Sequence, residues 1–149
     1  MATTAVREIE IRIKGKGRGM AATVTNPEAA AAFFRGIIGQ DVREQFVALY
    51  LDGRNHPIGW RIVSVGTANE SFAHPREVFQ AAVGLGAVQV VVAHNHPSGD
   101  TRPSLPDLEV TQRLSAAGEI LGIHLIDHLV IGQPGFTSIR TVHPERFRL

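Results

Sequence analysis

The residues best suited to carry chemistry are two histidines, His94 and His96, which directly follow an apolar run. If the chain is still extended there, side chains two positions apart point to the same side, and both imidazoles can bind one metal ion at about 2.0–2.1 Å. Asp107 supplies an oxygen ligand if residues 97–103 fold back over the end of the strand. Two imidazoles and a carboxylate leave the fourth tetrahedral position open to water, as in catalytic zinc sites. This donor set also suits non-haem iron, so the sequence favours zinc without excluding iron.

Such a site also needs a base and a group that stabilises an oxyanion, and neither should be a metal ligand. Glu44 lies just before an apolar strand, where a sheet edge can carry it beside the metal, and Ser104 precedes Asp107 by three residues. Each residue has a plainer interpretation. Glu44 alone is typical of a surface carboxylate, and Ser104-Leu105-Pro106-Asp107 matches the capping box that begins many helices. For Ser104 the two interpretations are compatible.

The elements that must position these residues alternate between strands and helices. Residues 7–13 alternate charged and apolar side chains, which is typical of a half-buried strand, and Asn26 with Pro27 marks a helix start. Residues 46–51 and 58–65 form a predicted hairpin. Further strands are predicted over residues 88–93 and 123–131, and helices over residues 27–38, 76–85 and 105–121. This order predicts a layered α/β or α+β domain.

Composition limits the class of protein. A chain of 149 residues with 44% hydrophobic and 19% charged residues suits one globular domain. The absence of cysteine excludes thiolate zinc fingers, iron–sulfur clusters, cysteine nucleophiles and disulfides. The net charge of +1 identifies no nucleic-acid partner. A signal peptide and a long apolar run are both missing, so we expect a cytoplasmic protein without a membrane partner. The one basic stretch, read as a solvated edge or a phosphate contact, contains Arg7, Arg12, Lys14, Lys16 and Arg18.

Missing motifs exclude several other chemistries. The chain has no His-Glu-x-x-His of thermolysin-type sites, no Pro-Cys-x-x-Cys of nucleobase deaminases and no glycine-rich phosphate loop. His124 and His128 share a face of a predicted strand but lie about 13 Å apart, which is too far for one ion. We expect structural roles for them, with Asp127 and His128 as candidates to support the metal ligands from outside.

The pattern His94-x-His96, seven residues, Ser104-x-x-Asp107, with Glu44 upstream, resembles the JAMM motif of JAB/MPN metallopeptidases. Over about residues 40–135 the chain is similar to the C-terminal domain of the bacterial RadC family. The segments that carry this likeness are Arg43-Glu44-Gln45-Phe46, Val65-Gly66-Thr67, His74-Pro75-Arg76-Glu77-Val78-Phe79, Ala93-His94-Asn95-His96-Pro97-Ser98-Gly99-Asp100 and Leu125-Ile126-Asp127-His128-Leu129-Val130-Ile131-Gly132. About the first 40 residues do not resemble the helix-hairpin-helix-like region typical of that family, and we expect a divergent N-terminal strand and helix within one domain over residues 1–149.

The resemblance implies a cytidine-deaminase-like three-layer α/β/α sandwich with a mixed central sheet. It implies one zinc ion bound by His94, His96 and Asp107, with Glu44 as general acid and base and Ser104 as oxyanion stabiliser. The implied reaction is the hydrolysis of a peptide or isopeptide bond by metal-activated water, with a peptide or an isopeptide-linked protein as the substrate. Since MPN domains often pair, a homodimer is among the expected assemblies.

A second interpretation belongs to a different class of protein. The RadC branch was named for DNA repair, and the N-terminal stretch is basic, so the domain is alternatively a metal-containing binding module for nucleic acid or protein without turnover. A nuclease using the same zinc is a third option. Steeply salt-dependent DNA binding that survives Glu44→Gln would favour the binding module.

Overall fold

A computed structural model describes residues 2–15, 22–39, 43–66 and 73–148. Strands β1 to β5 cover Gln45–Leu51, Pro57–Val65, Gln89–Asn95, His124–Ile131 and Phe136–Ser138. Helices α1 to α4 cover Pro27–Ile38, Pro75–Leu85, Leu105–Leu121 and Ile139–Val142, and a 3-10 turn follows at Pro144–Arg146. Strands and helices therefore alternate as the sequence predicts.

The five strands form one mixed sheet in the order β2-β1-β3-β4-β5. β1 pairs antiparallel with both β2 and β3, β3 and β4 run parallel, and β5 returns antiparallel to β4. β1 and β3, at the centre, are buried almost throughout, which explains their nearly continuous apolar sequences.

Helices cover both faces of this sheet. On one face α1 contributes Phe34 and Ile38 to a core that includes Leu49 and Leu129. On the other face α2 and α3 contribute Val78 and Leu114, among others, to a second core with inward-facing residues of β1 and β3. The architecture is the predicted three-layer α/β/α sandwich with a mixed sheet. None of the helices in the described ranges has the length and apolarity that a membrane span requires.

Local capping signals in the sequence correctly mark where the helices begin. The Asn26 side chain accepts a hydrogen bond from the Ala29 amide at 2.8 Å, with Pro27 as the first helical residue of α1. The Ser104 hydroxyl does the same for the Asp107 amide at the start of α3. These signals act over three residues, so they can be recognised without the tertiary fold.

The predicted strand over residues 7–13 is wrong. That segment lies outside any helix or strand, and its apolar side chains face solvent, with Ile9 83% and Ile11 64% exposed. The alternating pattern is present, but none of the described strands pairs with this segment. Lys16 and Arg18 of the basic stretch, and Thr67, lie outside the described residues.

The prediction that His124 and His128 share one face of a strand is also wrong. The register of β4 against β3 shifts by one residue between Leu125 and Asp127. Such a bulge reverses the alternation of side chains beyond it. His124 pairs with Gln89 and is exposed, whereas His128 pairs with Val92 and lies buried on the opposite face.

Candidate metal centre

His94, His96 and Asp107 meet at one point beyond the end of β3. The Nε2 atoms of the two histidines are 3.1 Å apart. Asp107 Oδ1 lies 3.1 Å from His94 Nε2, and Asp107 Oδ2 lies 2.9 Å from His96 Nε2. One ligand atom from each residue lies within 4.8 Å of the other two, as a shared metal ion requires. The structure therefore brings together the three residues that the sequence predicts as ligands.

The end of β3 and the start of α3 position these three side chains. β3 continues through Asn95, so His94 is still in the strand and His96 follows it directly. The next residues turn back at Gly99, whose φ of 78° is in the left-handed region that favours glycine and whose amide donates to the His96 carbonyl at 2.9 Å. α3 then begins at Leu105 and carries Asp107 in its first turn.

The returning loop passes so close to the end of β4 that only glycine fits there. A Cβ atom on Gly132 would overlap Thr101 Cγ2 and lie 2.8 Å from the Gly99 carbonyl oxygen. Gly132 is thus a close-approach glycine, and its missing side chain lets the loop lie against the sheet.

A chain of hydrogen bonds behind the centre decides which nitrogen of His94 carries its proton. The Thr111 hydroxyl donates to the Asp107 carbonyl at 2.8 Å and therefore accepts from His128 Nδ1 at 2.7 Å. Neutral His128 then accepts at Nε2 from His94 Nδ1, 2.7 Å away. This tautomer assignment follows from the hydrogen-bond network, and it directs the lone pair of His94 Nε2 at His96 and Asp107.

The proton of His96 is fixed by a simpler contact. His96 Nδ1 lies 3.0 Å from the Asp100 carbonyl oxygen, which can only accept. The proton therefore sits on Nδ1, and the Nε2 lone pair is directed at His94 and Asp107.

The ionisation of these groups suits a cation site. Burial alone would raise the pKa of Asp107, but hydrogen bonds from His94 and His96, which form when their Nε2 atoms carry a proton in the metal-free site, hold that pKa far below its usual range. The hydrogen bond with Asp107 raises the pKa of His96, against the effect of burial. Burial keeps the pKa of His128 well below its ordinary value, so its ring is neutral at physiological pH.

The three ligand atoms fit a tetrahedral metal ion. With ligands about 2.0–2.1 Å from the metal, a tetrahedral site separates them by about 3.3 Å. The two histidine nitrogens are 3.1 Å apart, and each lies 2.9–3.1 Å from one of the two Asp107 oxygens, within a few tenths of an ångström of that value. The two imidazole nitrogens and the carboxylate all offer lone pairs to one point, and a single cation satisfies all three. This donor set is one that catalytic zinc sites use.

Glu44 lies at the same end of the sheet. Phe46 pairs with His94 in the antiparallel register, so Glu44, two residues before Phe46, and His96, two residues after His94, lie at the same edge of the sheet. Its charge contributes to the raised pKa of His96, which places the carboxylate within electrostatic range of the centre. The Glu44 carbonyl accepts from the Gly66 amide at 2.8 Å, which ties this residue to the end of β2.

Asn95, which the sequence reasoning missed, holds the chain on both sides of Glu44. Its side-chain oxygen accepts from the Gln45 amide at 2.8 Å, and its side-chain nitrogen donates to the Arg43 carbonyl at 2.9 Å. Asn95 points to the opposite side of β3 from the histidines that flank it in sequence. It therefore links the strand that carries His94 to the segment that carries Glu44.

Ser104 takes part in the capping box that its spacing predicts. Its hydroxyl oxygen accepts from the Asp107 amide at 3.2 Å, and its own amide donates to Asp107 Oδ2 at 2.8 Å. The cap thus orients the same carboxylate that faces the histidines. Ser104 is exposed, and its role as an oxyanion donor stays a prediction.

Thr111 and Asp127 both hold His128 in place, Thr111 through the ring of His128 and Asp127 through its backbone amide. Thr111 lies four residues after Asp107 on α3, a spacing that places both side chains on one helix face and so offered a signal. Asp127 faces away from the centre. Its Oδ1 accepts from the His128 amide at 2.7 Å and its Oδ2 accepts from the Ser138 hydroxyl at 2.7 Å, so it secures the backbone of His128. Burial raises the pKa of this carboxyl group.

A cavity of about 530 Å³ lies apart from the three candidate ligands, although Asp127 is part of its lining. It is lined by residues around the start of α1, including Asn26 and Ala30, and by Ile126 and Arg140 at the β4 side of the sheet. None of the three candidate ligands borders it. The chemistry that the side chains offer is therefore at the end of β3 and not in this cavity.

A five-stranded mixed sheet between two helix layers, with a two-histidine, one-aspartate cluster at the end of a central strand, defines a JAB/MPN-type domain with a candidate metal centre. Residues 24–144 match the family of RadC-like JAB domains. The chain belongs to this RadC family.

Curated relatives agree with this assignment. A UPF0758 protein of Acaryochloris marina is 45% identical over 117 residues, which cover 78% of this chain and 48% of that protein. A UPF0758 protein of Shouchella clausii is 40% identical over 141 residues, covering 92% and 60% of the two chains. One from Thermosynechococcus vestitus is 37% identical over 145 residues, covering 96% and 58%. The chain spans about half the length of the curated relatives it matches, and their names state no activity.

Proposed function

We propose that this domain is a zinc-dependent hydrolase of the JAMM type that cleaves a peptide or isopeptide bond. The observation that carries the proposal is the convergence of three side chains: His94 Nε2 and His96 Nε2 are 3.1 Å apart, and each lies 2.9–3.1 Å from one of the two Asp107 carboxylate oxygens. Glu44 lies at the same end of the sheet and its charge acts on His96. In their neutral forms, with the proton of each ring on Nδ1, both imidazoles offer the Nε2 lone pair to a metal ion.

His94, His96 and Asp107 would hold the ion. When bound, zinc acts as a Lewis acid and lowers the pKa of a coordinated water from about 15.7 to about 7. The remaining chemistry belongs to the side chains of this domain, and the absence of cysteine fits a reaction without a thiol nucleophile.

We assign the role of general base to Glu44, supported by its negative charge at the same end of the sheet and by the effect of that charge on His96. Its carboxylate takes a proton from the attacking water and delivers it to the leaving amine, so one group serves both halves of the reaction. Proton transfer by a well-placed side chain typically contributes about 10²–10⁴-fold to the rate. Asn95 keeps the backbone on either side of Glu44 in place during both transfers.

Ser104 has a hydroxyl proton to donate while its oxygen accepts from the Asp107 amide. Donation to the substrate carbonyl oxygen, where negative charge develops, is the role we assign to it. Removing one such donor costs about 10²–10³-fold in turnover in other hydrolases. The substrate class we propose is a peptide or an isopeptide-linked protein.

Metal content is the first test. Mass spectrometry on protein purified without chelator or metal-affinity resin should find about one zinc per chain, and His96→Ala should remove it. His124→Ala is the matched control, because His124 is exposed on the opposite face of the sheet and should leave the metal content unchanged. A wild-type protein that takes up no metal even after zinc is added would refute the site.

Turnover is the second test, on a panel of peptides and isopeptide-linked conjugates. Glu44→Gln should abolish cleavage while the metal stays bound, because the amide cannot accept the proton of the attacking water. Glu109→Gln, an exposed carboxylate on α3, makes the same chemical change away from the centre and should retain full activity. Cleavage by Glu44→Gln at the wild-type rate would overturn the assignment of the base.

The alternative function is a metal-containing binding module that has no turnover. The exposed basic side chains of Arg7, Arg12 and Lys14 favour it. In that case DNA binding should fall steeply with salt and survive Glu44→Gln. No DNA binding at low salt would exclude the nucleic-acid form of this alternative.

A further inference from the structure

Residues 6–14 have the alternating pattern of a strand, but among the described residues no strand pairs with them. We call residues 6–14 the arm. Ile9, Ile11 and Ile13 alternate along it with charged residues, and these isoleucines are 64–83% exposed. Exposed isoleucines at every second position are the apolar face of a half-buried strand. Among the described residues, no strand covers that face.

The arm lies on the outer side of α2. The side chain of Ile11 approaches Gly84 so closely that a Cβ atom there would lie 3.2 Å from Ile11 Cγ2. Val83, the neighbour of Gly84, is 61% exposed. Apolar surface of the arm and apolar surface of α2 therefore adjoin each other and remain largely open to solvent.

The charge pattern of the arm is complementary to that of a second copy of the arm that runs antiparallel to it. When two copies of the arm run antiparallel with Ile11 opposite Ile11 of the second copy, Glu8 lies opposite Lys14 and Glu10 lies opposite Arg12. Each of these pairs occurs twice because the arrangement has two-fold symmetry. All four charged residues on that face of the arm then oppose a residue of the other sign.

Other registers lack this complementarity. A shift by two positions toward the N-terminus places Glu10 opposite Glu10, and the same shift toward the C-terminus places Arg12 opposite Arg12. A parallel, in-register pair places every charge opposite its own kind. Like charges directly opposite each other destabilise a strand pair, whereas opposite charges stabilise it. The sequence therefore specifies one register.

We propose that the arm is a dimerisation element that pairs with the arm of a second copy of this chain in this antiparallel register. The paired arms put six isoleucines on one face of a two-stranded ribbon. A two-stranded ribbon is marginal by itself in water, but packing against a helix supports it. The outer side of α2, which Ile11 already contacts, provides that support in each protomer.

The test is sedimentation equilibrium of the purified chain over a concentration series. The wild-type chain should show a monomer–dimer equilibrium. I11D should be monomeric, because it places two carboxylates at the two-fold axis. K14E and E8K should each weaken dimerisation by about tenfold, since two attractive pairs become repulsive in each dimer. E109K changes the charge of an exposed α3 residue by the same amount as E8K and should leave the equilibrium unchanged.

A charge exchange tests the register itself. The double variant E8K/K14E should recover the wild-type dimer, and an equal mixture of the E8K and K14E chains should form a heterodimer. Glu8 and Lys14 are six residues apart, about 20 Å in an extended chain, so contact within one chain cannot explain such a rescue. At concentrations where all chains are monomeric, far-UV circular dichroism should be the same for all variants, because the arm lies outside both hydrophobic cores.

Three results would overturn the proposal. They are a wild-type chain that stays monomeric throughout the concentration series, a dimer that I11D leaves intact, and a double variant that remains as weak as the single variants. The second result would place the interface on another surface of the domain, and the third would reject this register.

Discussion

Replacing Thr111 by valine should weaken metal binding without removing any metal ligand. Thr111 is fully buried, and its hydroxyl connects His128 Nδ1 to the Asp107 carbonyl through bonds of 2.7 and 2.8 Å. Valine has nearly the same shape but no hydroxyl, so the buried Nδ1–H of His128 loses its acceptor. The ring can avoid this only by moving its proton to Nε2, which faces His94 Nδ1 at 2.7 Å. His94 must then carry its own proton on Nε2, where it blocks the metal.

Both outcomes, a His128 Nδ1–H without an acceptor and a shifted proton on His94, make the free energy of metal binding or of folding less favourable. A buried donor without a partner costs about 1–3 kcal/mol. Converted at about 1.4 kcal/mol per tenfold change, this corresponds to a loss of about 5- to 150-fold in metal affinity if the tautomer shift absorbs it. Loss of an outer partner of a metal-bound histidine typically weakens binding by about 10- to 100-fold, which agrees.

Competition with a chromophoric zinc chelator measures this affinity, and urea unfolding of the metal-free protein measures stability in parallel. Thr111→Ser is the matched control: it keeps the hydroxyl and removes one methyl group. The serine variant should lose about 1 kcal/mol of stability and retain its affinity, whereas the valine variant should lose affinity. Equal zinc affinities for the wild-type and valine proteins would show that this hydroxyl does not set the tautomer of His94.

Three further predictions concern other parts of the domain. Asn95→Ala should lower turnover about tenfold or more at unchanged zinc content, because the segment around Glu44 loses two hydrogen bonds; equal loss of zinc would contradict this role. Burial raises the pKa of Tyr50 to about 12, so stability should fall by up to about 3 kcal/mol between pH 10 and 12 as the unfolded chain ionises first. Urea unfolding of Tyr50→Phe should be flat over that range, and a wild-type slope in the variant would exclude this cause. Gly132→Ala should cost about 1–3 kcal/mol in urea unfolding, whereas Gly36→Ala, with open space around it, should cost nothing.

Much of the fold follows from local signals in the sequence. The start of α1 depends on the cap at Asn26 and on Pro27, and the start of α3 depends on the capping box of Ser104 and Asp107, all within three residues. The buried apolar run of β1 identifies a central strand because both of its faces are covered. The short elements after β4 were not predicted: β5, α4 and the 3-10 turn span three or four residues each, and the Ser138 cap of α4 was missed.

The candidate ligands also follow from the sequence for a local reason. His94 and His96 are two positions apart in an extended chain, so they share a side wherever the strand lies. Asp107 is fixed on the first turn of α3 by its own cap. The sequence leaves open whether the loop between His96 and Asp107 folds back over the end of β3. That depends on the close approach of Thr101, in the loop, to Gly132 at the end of β4.

By itself, the sequence determined the types of the longer elements from α1 to β4 and the spacing of the ligand residues, because each depends on neighbours along the chain, and its composition excluded a thiol. Only the tertiary structure decided which of His124 and His128 supports the centre, since a bulge in β4 reverses its alternation without any mark in the residue pattern. It also decided that residues 7–13, although patterned as a strand, are not one here. A strand is completed by hydrogen bonds to a second strand, and an amino-acid pattern shows that a segment can pair but cannot supply its partner.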